Sequence, residues 1–87
     1  MNLTFKPKAT IGEIVRIVGT DCIQTSAGFR ITHLFSNRDY YVHDVTVTTS
    51  LKTGEVKYEY LIGSKHAKGT KGWVGHDDIE LKVEGGN

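Results

Sequence analysis

Helical periodicity, paired cysteines, long apolar runs and net charge are all scarce in this 87-residue sequence, and each scarcity excludes something. No window of about eleven residues keeps apolar positions at i, i+3, i+4 and i+7 without a glycine or a β-branched cluster interrupting it, so amphipathic helices are not expected. The single cysteine, Cys22, cannot close an internal disulfide and suits a reducing compartment. Apolar stretches such as Tyr60 to Ile62 fall far short of the roughly 20 residues that a membrane helix needs. The opening MNLTFKPKAT carries lysines but no apolar h-region, so no secretion signal is expected and a cytoplasmic location is the default. Eleven Lys plus Arg against ten Asp plus Glu leave a formal charge of +1, so no overall field recruits polyanions and any basic site must be local.

Site chemistry is equally thin. His33, His43, His66 and His76 are spread along the chain with no CxxC, HxxxH or HExxH spacing, so no local metal site is encoded. No motif joins Cys22 to a histidine base, and the simpler reading of Cys22 is a small apolar loop or core residue. The segment GSKHAKGTKGW, Gly63 to Trp73, comes near the P-loop pattern with its glycine and lysine exchanged. A valine-bearing strand, GWV, follows it where a helix would have to begin, which excludes a phosphate cradle. No cofactor and no catalytic residue are expected.

What is present is β structure with a period near two. GEIVRIVG, Gly12 to Gly19, reads as a first strand closed by glycines, and TDCIQTSAG as the loop after it. In GFRITHLF, Phe29, Ile31, His33 and Phe35 alternate with Arg30, Thr32 and Leu34, so one of the two sets faces inward. SNRD, Ser36 to Asp39, is a turn. A long hairpin follows, outward over Tyr40 to Leu51 and returning over Glu55 to Ile62, with Gly54 at the positive-φ position of its loop. Tyr41, Val45, Val47 and Leu51 are expected on one face of the outgoing strand, and Val56, Tyr58, Tyr60 and Ile62 on one face of the return. IELKV closes the chain with Ile79, Leu81 and Val83 on one side, and EGGN should fray. The expected organisation is an N-terminal extension over 1–10, one β domain over 11–83 and a tail over 84–87. Five or six short antiparallel strands in so short a chain most economically remove their edges as a small, partly open barrel.

The ending GWVGHDDIEL resembles the close of an SH3-like barrel: a glycine, two strand residues, a one-turn 3₁₀ segment and a final strand. IGEIVRIVG and GFRITHL…YYV resemble the first strands of SH3-like and KOW-type domains. The resemblance spans about Ile11 to Val83. It implies an all-β fold with a short 3₁₀ turn before the last strand, Val74, Ile79 and Leu81 in the core, and Trp73 beside the ligand face. Gly75 stands where peptide-binding SH3 domains have a proline, Asp78 where they have a ligand-contacting tyrosine, and the tandem tryptophans are missing, so polyproline recognition is not implied.

Adjacent Tyr40 and Tyr41 must point to opposite faces, as must Trp73 and Val74, so two exposed aromatics are expected. The surface predicted to bind comprises Trp73, Tyr40, Lys65, Lys68, Lys71 and Asp78. The expected function is that of a small non-enzymatic module, monomeric or weakly dimeric, that docks on a protein partner, as a bacterial or phage-encoded accessory or inhibitor protein would. The alternative is a nucleic-acid-binding domain that contacts phosphates of RNA or DNA through the lysines of the 63–72 loop beside an aromatic platform.

Overall fold

A computed structural model of the protein describes residues 5–66 and 69–82; the readings made for Lys68, Val83 and the 84–87 tail lie outside the described residues. The elements run β1 (Ile14–Ile17), β2 (Cys22–Ala27), β3 (Arg30–Phe35), β4 (Asp39–Thr49), β5 (Val56–Gly63), β6 (Lys71–Gly75), a 3₁₀ turn (His76–Asp78) and β7 (Ile79–Leu81). The fold is all-β, as the period of the sequence predicts. Five strands form an antiparallel sheet in the order β6-β5-β4-β1-β7, β2 and β3 pair as a separate hairpin, and the larger sheet does not close on itself. Among the described residues no helix is long and apolar enough to cross a membrane.

The segment 22–27, expected as loop, is a strand. Apart from Ile23 and Thr25 its residues carry little strand propensity of their own, and it is extended where each residue from Cys22 to Ala27 is opposed by one from Phe35 to Arg30. The two-residue turn between them places Gly28 at φ +66, a conformation for which a glycine at the first turn position is suited.

A second departure lies in β4. The pairing passes from Val42↔Ile62 directly to Asp44↔Leu61, leaving His43 as an extra, bulged residue. One inserted residue reverses the parity of everything before it. Tyr40 and Val42 therefore share the inner face with Val45, whereas Tyr41, predicted to join Val45 and Val47, lies on the opposite face. Tyr40 is 8% exposed, and its hydroxyl accepts the Phe35 backbone N–H at 2.7 Å. Leu51 also leaves the predicted face: the strand ends at Thr49, the Gly54 N–H closes the turn onto the Ser50 carbonyl, and Leu51 is fully exposed.

The core lies between the sheet and the β2–β3 hairpin. It takes Val15 and Ile17 from β1, Leu34 from β3, Tyr40 and Val42 from β4, Tyr60 and Ile62 from β5, Val74 from β6 and Ile79 from β7, with Leu81 and Tyr58 packed at its margin. Burial of each such side chain stabilises the fold by about 1.5–3 kcal/mol before entropy is counted. The hairpin joins the sheet where Gly72 comes so near Thr25 and Thr32 that a Cβ there would collide with both side chains. Beside that point the Thr25 hydroxyl donates to the Trp73 carbonyl. Residues 5–10, expected as an extension, lie against β5. The Lys6 and Lys8 backbone N–H groups donate to the Tyr58 and Tyr60 hydroxyls, both at 2.7 Å, and Ala9 is buried.

Candidate binding surface

The described residues predicted to form one surface are distributed over four places. Trp73 and Lys71 share the outer face of β6, where Trp73 is half-buried opposite Leu61 of β5 and lines a hollow with Thr46 and Glu59. Asp78 lies at the far end of β6, and its carboxylate accepts the Gly75 N–H at 2.8 Å. That bond staples the 3₁₀ turn and gives Asp78 a structural occupation. Tyr40 is no exposed platform, because the bulge at His43 turns it inward. Lys65 is exposed on the 64–70 loop.

The sequence reading missed the outer face of the β2–β3 hairpin. Ile23, Thr25, Thr32 and Leu34 face the sheet, so Cys22, Gln24, Ser26, Ile31, His33 and Phe35 face away. Phe29 at the turn is wholly exposed, Ile31 is 65% exposed and Phe35 39%. The alternation was visible in GFRITHLF; which set entered the core was not. Cys22, read as a loop or core residue, is exposed on this face, opposite Phe35. The guanidinium of Arg38 lies over the Phe35 ring, 5.5 Å from its centroid, in the range of a cation–π contact. From Cys22 to Arg38 the chain has Arg30, His33 and Arg38 and no aspartate or glutamate.

The same hairpin borders a cleft of about 430 Å³, walled on one side by Thr32, His33 and Arg38 and on the other by Ser64 and Thr70 of the lysine loop. The cleft holds one carboxylate, Asp39, which forms ion pairs with Arg16 at 2.7 Å and Lys82 at 2.5 Å. Hydrogen bonds from Lys82 and then Arg16 hold the Asp39 carboxyl below its ordinary value. With the Asp39 charge answered twice, Arg38 contributes a further cation to the cleft lining.

No protein-family model, curated protein or solved structure matches the chain. Its chemistry must be read from its own geometry.

A third cluster sits at the opposite end of β5. The His76 Nδ1 lies 2.9 Å from the Tyr60 hydroxyl, and its ring packs on Tyr58 and Tyr60 at centroid distances of 5.1 and 6.0 Å. Burial pushes the Tyr60 phenol above its ordinary value. Because the hydroxyls of both tyrosines accept N–H groups from the 5–10 segment, this cluster fastens the chain's beginning to the sheet. Among the described residues, no three His, Cys, Asp or Glu side chains come together as a metal would require.

Proposed function

We propose that the protein is a small non-enzymatic binding module with an SH3-like arrangement, and that it docks on a protein partner through the outer face of the β2–β3 hairpin. The observation that carries this reading is the apolar row of Phe29, Ile31 and Phe35, exposed at 106, 65 and 39% on a hairpin whose other face is already occupied. Leaving Phe29 in water forgoes about 1.5–3 kcal/mol, and Ile31 and Phe35 a part of that in proportion to their exposure, which a covering partner recovers; aromatic and arginine side chains are enriched at protein interfaces. The SH3-like arrangement is supported by the strand order, with β1 between β4 and the last strand and a 3₁₀ turn between β6 and β7. The binding surface thus moves from the predicted Trp73 and Tyr40 to the hairpin, and keeps the lysine loop as a neighbour.

The test is affinity capture from nuclease-treated lysate with the wild-type protein and the Phe29→Ser/Ile31→Ser double variant. The expected result is a stoichiometric protein partner that the variant loses while its circular dichroism is unchanged. Capture that persists in the variant, or that disappears on nuclease treatment, would overturn the reading. The second outcome would favour nucleic-acid contact through Lys65 and its loop.

A further inference from the structure

The hairpin register decides where the β3 backbone points. The Ser36 N–H bonds the Asp21 carbonyl at 3.0 Å, so the hydrogen-bonded rungs of this antiparallel pair are Asp21/Ser36, Ile23/Leu34, Thr25/Thr32 and Ala27/Arg30. The N–H and C=O groups of Ile31, His33 and Phe35 are consequently directed away from β2. The Phe35 N–H is met by the Tyr40 hydroxyl and its C=O by the Arg38 N–H, and no backbone group among the described residues outside the hairpin bonds those of Ile31 or His33. This outer edge of β3 borders the cleft, whose lining includes Thr32, His33 and Leu34. An unpaired edge beside an open cleft is a template for an added strand.

Charge selects the strand that fits. Arg30 and Arg38 stand on the hairpin side without a carboxylate from residue 22 to 38, Lys65 adjoins Ser64 at the opposite wall, and Asp39 is occupied by Arg16 and Lys82. An extended strand laid on β3 has side chains alternating between two directions. One set meets the face of Ile31, His33 and Phe35, where Arg38 lies over the Phe35 ring, and the other the face of Arg30, Thr32 and Leu34. From this we infer that the partner contributes an extended segment of acidic and apolar residues, which adds to the outer edge of β3. The inference rests on the protein-docking reading and names the chemistry of the partner. A phosphodiester strand is the weaker match, because a domain of near-zero net charge draws little on counterion release.

The test is titration of the isotope-labelled protein with a short peptide alternating glutamate and valine, followed by amide chemical shifts and hydrogen exchange. The expected result is saturable shifts over Phe29 to Phe35 and at Ser64 and Thr70, with slowed exchange of the Ile31 and His33 amides. Arg38→Glu should weaken binding at least about tenfold, and Arg38→Gln less, as loss and reversal of an interfacial charge require. Equal binding of a lysine–valine peptide would overturn the charge assignment, and shifts without slowed exchange would overturn strand addition. Tighter binding of a short oligothymidylate at the same residues would replace the acidic peptide with a phosphodiester. No saturable binding by the glutamate–valine peptide would reject the inference; if Phe29→Ser/Ile31→Ser still loses a captured protein, the docking reading survives that failure.

Discussion

The two hairpins of this protein share a period of two and put it to opposite uses. In β4–β5 the apolar set turns inward, and Val42, Tyr60 and Ile62 are completely buried. In β2–β3 the more apolar set, Phe29, Ile31 and Phe35, turns outward, while Thr32 and Leu34 are buried. Space accounts for the difference. The hairpin meets β6 at Gly72, where the approach of Thr25 and Thr32 leaves no room even for a Cβ, so an aromatic or isoleucine side chain could not be accommodated at those positions. Steric fit at one joint thus outweighs the burial of larger apolar surface, and the surface left over becomes the feature available for binding.

The comparison breaks most completely if the shared core is charged. Val74 is 3% exposed, and Val74→Asp should abolish folding of both hairpins together, since a buried unpaired carboxylate costs several kcal/mol, on the order of a small domain's entire stability. A soluble, dispersed amide spectrum from this variant would show that β6 does not hold the two layers together.

The joint itself gives the next largest effect. Gly72→Ala should lower stability by about 1–3 kcal/mol, as overpacking does, with amide shift changes concentrated in 22–35 and little change in the outer part of β4–β5. Adding Thr25→Ser, which removes the obstructing methyl and keeps the hydroxyl that donates to the Trp73 carbonyl, should recover part of the loss. A denaturation midpoint unaltered by Gly72→Ala would place the joint elsewhere.

The finest discrimination comes from one substitution made in each hairpin. Ile62→Val, at a fully buried position, should cost about 0.5–1.5 kcal/mol. Ile31→Val, on the exposed face, should stay within about 0.5 kcal/mol. Equal losses in urea denaturation would mean that the β2–β3 outer face is covered in solution by the protein itself, and the docking surface proposed for it would disappear.

The sequence by itself determined the all-β class, the turns near Ser36 and Gly54, the short turn before the last strand, and the shared side of Ile79 and Leu81. These depend on local information: alternation, β-branched residues, and glycines where the chain reverses. The tertiary structure decided what alternation leaves open. β2 is a strand because β3 pairs with it, and the extra residue at His43 sends Tyr40 inward and Tyr41 outward. The 5–10 segment is held by the Tyr58 and Tyr60 hydroxyls, which no local pattern links to Lys6 or Lys8. Periodicity states that two faces differ but not which is covered, because covering is settled by contacts between residues far apart in the chain. The candidate site was legible only in the Phe29–Phe35 alternation; that the hairpin shares a cleft with Ser64 and Thr70 depends on how it lies against β6.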